Sequence, residues 1–363
     1  MSTGERDRRV VRALCAWFAA NKRDLPWRHT NDAGRRDAYR SLVSEIMLQQ
    51  TQVSRVLEKF GPFVERFPTV RALADAPIDD VLALWSGLGY YRRARSLHRC
   101  AQEIVERFGD VPESVDDLQM LPGIGRYTAG AIASIVFDEA APIVDGNVTR
   151  VLLRFEGEDL DPKDKDTASF CWERAEQLVA AAARSRSTGN SAGVFNEALM
   201  ELGALVCTPK SPSCDTCPLR SACVAHNDGT QHEIPRPKRA AAKRELHMAS
   251  VLVRDEAGRV LVEQRSDSGL WAGIWQPPTL ESDQPIRKSA VAEHFGLASE
   301  ALSRDDGSNK NLVWETSHRS VRVSVYLSDR APEDGTARQW CSANELEELA
   351  LGSLQRRLLL GDD

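Results

Sequence analysis

A run of four cysteines is the feature that most restricts the fold of this 363-residue chain. It has the spacing C-x6-C-x2-C-x5-C and consists of Cys207, Cys214, Cys217 and Cys223. In a chain with no secretory signal, clustered cysteines favour a metal site over disulfides. The long spacers fit zinc poorly, because a zinc site normally takes two short C-x2–4-C pairs. Four thiolates from one loop suit a [4Fe–4S] cluster better, and scattered structural cysteines are the alternative.

The composition is that of a soluble globular protein long enough for two domains. Hydrophobic residues make up 42% and charged residues 28% of the chain, which is ordinary for such proteins. No apolar run approaches the roughly 20 residues of a membrane span, and the N-terminus lacks a signal-peptide core. The net charge of −6 gives no sign of a nucleic acid partner. The stretch "YYRRARSLHR" at 90–99 fits either a local basic stripe or a solvated helix face.

The pattern of apolar residues changes at about residue 225. Residues 8–205 have helical spacing, and over 39–60 that spacing predicts one helix with a single buried face. Proline, glycine and a basic run then mark a linker. We therefore expect an all-α domain over 1–225, a linker over 226–246 and a smaller α+β domain over 247–363.

The C-terminal part carries strand patterns. "HMASVLVRDEAGRVLVEQR" predicts two strands around a turn at Ala257–Gly258. In "SVRVSVYLS" the period of two places Val321, Val323 and Val325 on one face. Helical patterns lie around 286–297 and 344–360.

The stretch "LPGIGRYTAGAI" at 121–132 places a proline and two glycines just before a predicted helix. Gly123 and Gly125 can take backbone angles closed to other residues, and they let a ligand approach the main chain. Because a helix start offers unpaired N–H groups and a positive dipole end, a phosphate is the natural ligand. A tight turn that only joins two helices explains the stretch equally well.

Several motifs together resemble one enzyme family. This turn, "VDGNVTRV" at 144–151 and the cysteine loop are similar to the helix-hairpin-helix DNA glycosylases that carry an iron–sulfur cluster. "RDLPWR" at 23–28, "SEIMLQQTQV" at 44–53 and "GLGYYRRAR" at 87–95 resemble the MutY adenine DNA glycosylases within that superfamily. The resemblance is dense over 8–225. It implies a helix-hairpin-helix glycosylase domain with an iron–sulfur loop, a Nudix-like C-terminal domain, and removal of adenine mispaired with 8-oxoguanine or guanine.

The resemblance also implies the catalytic residues. Hydrolysis of an N-glycosidic bond needs a proton for the leaving base and a carboxylate facing the oxocarbenium-like sugar, after the nucleotide has left the duplex. Glu45 would be the general acid, and a solvent-facing glutamate is the alternative. Asp145 would stabilise the sugar cation or bond to it transiently, and Asn147 would orient water or a carboxylate. Both could also cap a helix.

Tyr127 stands where bifunctional relatives carry a lysine whose amine attacks the sugar and then cleaves the strand. A phenol cannot form a Schiff base, so this enzyme should remove a base and stop. Tyr127 would then line the base site as a polar packing residue.

The binding residues that the resemblance implies fall into three groups. Near the flipped adenine we expect Arg23, Trp27, Arg28 and Glu197, of which Trp27 could equally anchor the core and Glu197 stands where other members carry glutamine. Beside the orphaned 8-oxoguanine we expect Gln50, Thr51, Leu88 and Tyr90, with Tyr90 as a stacking wedge. In the C-terminal domain Ser317 and His318 match the loop that recognises 8-oxoguanine, although Thr316 replaces its usual aromatic residue.

The C-terminal domain lacks one feature of working Nudix hydrolases. Around 273–297 the sequence has no metal-holding Nudix helix, so we do not expect pyrophosphatase activity.

Three other functions stay open. A thymine-mismatch glycosylase of the same superfamily also lacks the lysine, but it would normally lack the C-terminal domain. A non-catalytic iron–sulfur DNA-binding protein is disfavoured by Glu45 and Asp145, and a Nudix hydrolase fused to a binding module by the missing metal helix. We expect a cytoplasmic, nucleoid-associated monomer that acts on duplex DNA with an A:8-oxoguanine or A:G mispair and has no membrane partner.

Overall fold

The computed structural model describes residues 3–361 except 31–33, 186–190, 237–242, 267–268, 306, 308, 310–311, 317 and 333–337. It divides into two compact units. The helical unit comprises Met1–Asp75 and Arg99–Arg239, and the mixed unit comprises Ala76–His98 and Ala240–Asp363. Residues 76–98 thus group with the C-terminal residues, which the sequence pattern does not reveal. The domain boundaries proposed at 225 and 247 stay a prediction, and residues 237–242 of the proposed linker lie outside the described residues.

Helices form the regular structure up to residue 228, as predicted. They are α1 (Thr3–Asn21), α2 (Ala38–Leu48), α3 (Val53–Arg66), α4 (Val70–Ala74), α5 (Ile78–Leu84), α6 (Arg92–Arg107), α7 (Val115–Gln119), α8 (Arg126–Phe137), α9 (Gly146–Glu156), α10 (Lys165–Arg184), α11 (Ala192–Leu205) and α12 (Val224–Asn227). Short 3-10 turns lie at Pro26–Arg28, Cys214–Thr216 and Arg220–Ala222. No described helix is both long and apolar enough to span a membrane.

The single helix predicted over 39–60 is wrong. The structure has two helices there, because α2 ends at Leu48 and α3 begins at Val53. Gln50, in the turn between them, has a φ of 56°, a left-handed conformation that a continuous helix excludes. The apolar spacing misses this break because Ile46 and Phe60, on either side of it, are both buried.

Close packing of α11 against α8 and α9 positions the residues of the site described below. Gly193 of α11 lies against the Ser134 carbonyl of α8, where a Cβ would overlap that oxygen. Asn196 Nδ2 donates a hydrogen bond to Ser134 Oγ at 2.8 Å. At the other end of α11, a Cβ on Gly203 would lie 2.8 Å from the Cβ of Asn147 in α9. The two glycines therefore let α11 approach both helices at backbone distance.

The mixed unit contains two sheets. Its further elements are β1 (Arg244–Val253), β2 (Val260–Gln264), β3 (Trp275–Gln276), β4 (Thr279–Ser282), α13 (Lys288–His294), β5 (Leu302–Arg304), β6 (Leu312–Glu315), β7 (Arg319–Ser328), β8 (Arg338–Cys341), α14 (Ala343–Glu348) and α15 (Ser353–Leu360). The larger sheet has the order β4-β1-β7-β5, and β6 also pairs with β7. In it β1 and β7 are parallel and the other pairs antiparallel. The smaller sheet has the order β3-β2-β8.

Most of the predicted C-terminal elements are confirmed. β7 buries its three predicted valines in one cluster with residues of β1. β1 and β2 flank a turn at Gly258, whose φ is 79°, but they belong to different sheets. The pattern around 344–360 is two helices, because the backbone becomes extended at Leu349 and α15 begins only after Gly352.

Candidate active site

A cavity of about 550 Å³ in the helical unit collects most of the predicted catalytic and adenine-binding residues. Its size is typical of small-molecule sites. The predicted residues that line it are Arg23, Trp27, Arg28, Glu45, Gln50, Thr51, Tyr127, Asp145, Asn147 and Glu197. Those that do not line it are Leu88, Tyr90, Gly123, Gly125 and His318. Ser317 lies outside the described residues.

Glu45 faces this cavity from α2. Burial is the main influence on its carboxyl and raises its pKa to about 7, and the hydrogen bond from Tyr127 opposes the rise. The charges of Glu197 and Asp145 raise the pKa further, and Arg28 lowers it. A carboxyl with such a pKa carries a proton in a large fraction of molecules near neutral pH. It is therefore poised as a general acid.

Tyr127 lies in the first turn of α8 and contacts Glu45. Burial, followed by the charges of Glu45 and Asp145, holds the pKa of Tyr127 well above its usual value. Its hydroxyl also lies 3.2 Å from Met200 Sδ in α11. Tyr127 is thus a neutral, hydrogen-bonding part of the cavity wall.

Asp145 caps α9 and faces the cavity at the same time. Its Oδ1 accepts a hydrogen bond from Val148 N at 2.7 Å, and its Oδ2 accepts one from Asn147 Nδ2 at 3.1 Å. Asn147 Oδ1 in turn accepts from Arg150 Nη2 at 2.9 Å. The same hydrogen bonds therefore cap the helix and fix the orientation of the Asp145 carboxylate, and Asn147 supplies one of them.

Glu197 is held by two arginines. Its Oε1 accepts from Arg28 Nε at 3.0 Å, and its Oε2 accepts from Arg36 Nη2 at 2.7 Å. All three side chains are at most 15% exposed. The two guanidinium groups compensate the negative charge that a buried Glu197 carboxylate would otherwise carry unpaired.

Sequence reasoning missed Arg36 and Glu201. Glu201 accepts from Arg23 and Arg28, with its closest bond at 2.8 Å to Arg23 Nη2. Burial pushes the pKa of Glu201 upward, but the hydrogen bonds from both arginines outweigh it and lower the pKa to about 2. One signal could have found Glu201, because it lies four residues after Glu197 and so on the same face of α11. No pattern marked Arg36.

Trp27, Gln50 and Thr51 complete the predicted lining. Trp27 is 7% exposed, and its ring packs edge-to-face on Phe60 with centroids 5.3 Å apart. It therefore lines the cavity and anchors the core at once. Gln50 and Thr51 form the turn after α2, and Thr51 N donates to the Leu48 carbonyl at 3.2 Å.

The turn between α7 and α8 leaves the main chain accessible. Gly123 has a φ of 77°, as its predicted special conformation requires. Gly125 does not use this freedom, because its φ is −90°. A Cβ at Gly125 would meet nothing within 4 Å, and no side chain of the described residues caps α8. Open space before unpaired N–H groups suits a phosphate.

Three of the remaining predicted residues lie in the mixed unit. Leu88 and Tyr90 lie between α5 and α6, where Leu88 is 5% exposed and Tyr90 has a φ of 48°. His318 is exposed in the turn between β6 and β7. Thr316 Oγ1 accepts a hydrogen bond from Arg319 N at 2.9 Å and so closes this turn.

The four clustered cysteines line one small cavity in the helical unit. Burial raises the pKa of the Cys217 thiol to about 11, and the charges of the other three thiols raise it further. Among the described residues, no three His, Cys, Asp or Glu side chains are arranged to hold a metal ion. The loop therefore brings the predicted ligands together without defining a ligand geometry.

Two arginines of α9 hold this cysteine loop. Arg154 Nη1 donates to the Thr208 carbonyl at 2.7 Å and lies 3.5 Å from Cys207 Sγ. Arg150 Nε donates to the Cys207 carbonyl at 2.8 Å. Since Arg150 also contacts Asn147, the helix that begins at Asp145 connects the cavity with the cysteine loop.

Family models match both parts of the chain. Residues 43–177 match the HhH-GPD superfamily of base excision DNA repair proteins, and residues 249–361 match the NUDIX domain. Among solved structures, a thermostable thymine-DNA glycosylase is 27% identical with a TM-score of 0.54, covering 63% of this chain and all of that one. An endonuclease III–DNA complex, at 21% identity and a TM-score of 0.50, shows the same fold.

Curated relatives that match most of this chain are adenine DNA glycosylases. The enzyme of Rattus norvegicus is 38% identical over 96% of this chain and 76% of its own. That of Homo sapiens is 37% identical over 95% of this chain and 72% of its own. With the two matching domain models and the residues around the cavity, these similarities show that the chain belongs to the MutY family of adenine DNA glycosylases, enzymes of base excision repair.

Proposed function

We propose that this enzyme hydrolyses the bond between adenine and deoxyribose where the adenine is mispaired with 8-oxoguanine or guanine in duplex DNA. One observation carries the proposal. Glu45, a carboxyl that binds its proton up to about pH 7, shares a cavity with Asp145, which is held by two hydrogen bonds. Two carboxyl groups in different environments are what glycosidic hydrolysis needs.

The reaction begins with the flipped adenine in the cavity. Glu45 gives its proton to the base as the bond from the sugar to the base breaks, so adenine leaves as a neutral molecule. The bonding electrons leave with the base, and the sugar becomes an oxocarbenium-like cation. Tyr127, with its raised pKa, stays neutral beside Glu45 and does not compete for this role.

Asp145 acts on the sugar cation. Its carboxylate stabilises the cation or bonds to it transiently, until water adds to the anomeric carbon, gives one proton to the ionised Glu45 carboxylate and leaves an abasic site. Val148 N and Asn147 hold this carboxylate in one orientation. Such preorganisation lowers the barrier because no reorganisation is needed during the reaction.

Arg28 and Glu197 recognise the adenine. A carboxylate oxygen accepts a hydrogen bond from the exocyclic amine, and a guanidinium donates to a ring nitrogen. Because the pairs Arg28–Glu197 and Arg36–Glu197 are already formed, the pocket presents both groups in fixed positions. Trp27 adds an apolar ring to the wall.

The enzyme removes the base and does not cut the strand. Strand cleavage by the bifunctional route needs an amine that forms a Schiff base. Among the described residues that line the cavity there is no lysine, and Tyr127 occupies the start of α8.

Recognition of the mispair involves Gln50 and Thr51 in the helical unit and Leu88, Tyr90, Ser317 and His318 in the mixed unit. His318 is exposed and carried by a hairpin turn, so it is available to the opposite base. Tyr90 serves as a wedge because an aromatic ring stacks on any base.

The four clustered cysteines hold a [4Fe–4S] cluster. Their convergence on one cavity supports this, and Arg154 and Arg150 of α9 hold the loop that carries them through main-chain hydrogen bonds. When bound, the cluster would fasten the loop through four metal–thiolate bonds. Iron and sulfide analysis after anaerobic purification should find a four-iron cluster, whereas one zinc and no iron would contradict this assignment.

The function is tested with four duplexes that differ in one base pair. Labelled duplexes carrying A:8-oxoguanine, A:G, A:T or T:G are incubated with excess enzyme and then treated with alkali. We expect cleavage at the adenine of the first two and none at A:T or T:G. Cleavage at T:G alone would support the thymine-mismatch alternative, to which the thymine-DNA glycosylase match points.

A further inference from the structure

The loop at 85–91 of the mixed unit has an uncommon backbone. Gly87 has a φ of 92°, Gly89 of 69° and Tyr90 of 48°. The left-handed region is open to glycine, but it is costly for a tyrosine. Such a conformation persists only where the surroundings enforce it.

Two side chains of this loop bind the same carbonyl oxygen of the C-terminal region. The Tyr91 hydroxyl donates to the Leu351 carbonyl at 2.7 Å, and Ser86 Oγ donates to it at 3.0 Å. Tyr91 is 3% exposed and Leu351 is fully buried. The two donors fill both lone pairs of this oxygen. Burial raises the pKa of Tyr91 to about 12, so its hydroxyl stays a donor.

The accepting segment is itself fixed. Trp275 N donates to the Ala350 carbonyl at 3.0 Å, which joins the residue before Leu351 to β3. Nearby, Gly273 lies so close to Arg95 that a Cβ there would overlap the guanidinium. The loop, through Ser86 and Tyr91, and the first turn of α6, through Arg95, therefore contact the C-terminal residues of the mixed unit at two places.

Further contacts close the loop upon itself. Trp85 Nε1 donates to the Gly89 carbonyl at 3.1 Å, and Arg93 Nη2 donates to the Leu88 carbonyl at 3.0 Å. The Arg93 guanidinium lies 5.6 Å from the centre of the Tyr90 ring. These bonds set the shape of the loop, while Ser86 and Tyr91 attach it to Leu351.

We propose that Ser86 and Tyr91 are positioning residues for DNA binding, because they fasten the loop at 87–90 to the Leu351 carbonyl and so keep Tyr90 in the conformation that enters the duplex. The inference rests on the proposed function, in which Tyr90 is the wedge. A loop that is ordered before binding loses less entropy when the complex forms. The C-terminal residues thus contribute to binding through main chain that need not touch DNA.

The test compares binding with catalysis in the double variant Ser86→Ala/Tyr91→Phe of the whole 363-residue, iron-loaded chain. Kd is measured on a duplex with a non-hydrolysable adenine analogue opposite 8-oxoguanine, and the single-turnover rate is measured at saturating enzyme. We expect Kd to rise on the order of tenfold, as for the loss of two hydrogen bonds, and the saturated rate to change far less. A merely structural defect would not produce this split.

Tyr39→Phe is the matched control. The Tyr39 hydroxyl donates to the Phe67 carbonyl at 2.8 Å in the helical unit, and Tyr39 is as buried as Tyr91, at 5% exposure. Its loss should lower the melting temperature without raising Kd. A wild-type Kd for the double variant, or an equal rise for Tyr39→Phe, would overturn the inference. Kd does not depend on base removal, so an absence of adenine excision by the wild type would count against the proposed function alone.

Discussion

At the scale of single residues, the site depends on two carboxyl groups in different surroundings. Glu45 lines the cavity next to Tyr127, and burial raises its pKa to about 7. Asp145 instead accepts hydrogen bonds from Val148 N and Asn147. Different environments give two carboxyl groups different roles in one reaction.

The pH dependence of the rate tests the role of Glu45. Below pH 7 its carboxyl holds the proton that adenine needs, and as the pH rises through 7 this proton is lost. The single-turnover rate should therefore fall above pH 7, by about tenfold per pH unit once Glu45 is mostly ionised.

Removal of the acid tests the same role. Glu45→Gln should lower the rate by about 10²–10⁴-fold while DNA binding persists. Glu58→Gln, an exposed glutamate of α3, is the control, and an unchanged rate in Glu45→Gln would refute the assignment.

Tyr127→Lys tests whether position 127 lies beside the sugar. A lysine amine there can attack the anomeric carbon and form a Schiff base, which borohydride reduces to a permanent link. We expect the wild type to leave an abasic strand that breaks only in alkali, and the variant to be trapped on DNA. Trapping of the wild type would disprove base removal without strand cleavage. A variant that removes adenine but is never trapped would place residue 127 away from the sugar.

Sequence reasoning reached those side chains whose neighbours in the chain carry the pattern. Glu45 in "SEIMLQQTQV" and Asp145 in "VDGNVTRV" are of this kind, and both line the cavity. Arg36 was missed because its partner, Glu197, lies 161 positions away. The partner of a charged side chain is set by helix packing, which no local spacing reports.

At the scale of elements, α9 serves two regions of the helical unit. Its N-terminal cap is Asp145, and Arg150 bonds to both Asn147 Oδ1 and the Cys207 carbonyl. Arg154 lies one turn further along and bonds to the loop but not to Asn147 in the contacts described. One helix thus orients the Asp145 carboxylate and anchors the cysteine loop.

Paired arginine variants of α9 compare these two tasks, because Arg150 contacts both Asn147 and the cysteine loop, whereas Arg154 contacts the loop but not Asn147 in the contacts described. Arg150→Met removes the support of Asn147, so the saturated rate should fall on the order of tenfold or more, as for a small misplacement of a reacting group. Arg154→Met should lower the iron content, and the rate only in proportion to the iron that is lost. Both variants are measured for iron, melting temperature and single-turnover rate. Equal rates per iron-loaded protein in both would show that Arg150 does not act through Asp145.

At the scale of the whole chain, composition and the spacing of apolar residues predict an all-α and an α+β part. They do not predict which residues belong to which compact unit. The all-α and α+β parts follow from periods of 3.6 and 2. Residues 76–98, helical in pattern, nevertheless belong to the mixed unit. Two of the hydrogen bonds that join them to it go to one main-chain acceptor, the Leu351 carbonyl. Every residue has such a carbonyl, so the sequence does not mark the one that is used.

A variant of His318 tests whether the two units have different functions. If the mixed unit recognises 8-oxoguanine and the cavity of the helical unit removes adenine, His318→Ala should slow excision opposite 8-oxoguanine more than excision opposite guanine. One lost hydrogen bond corresponds to a change of about fivefold. Because His318 is exposed in a turn whose closure depends on Thr316, the variant should fold normally.

The control is His232→Ala, which changes an exposed histidine of the helical unit and should leave both rates unchanged. Rates on the two duplexes are compared at subsaturating enzyme, where binding contributes. An equal loss on both would mean that His318 binds DNA without distinguishing the opposite base, and no loss on either would remove the turn from the recognition site.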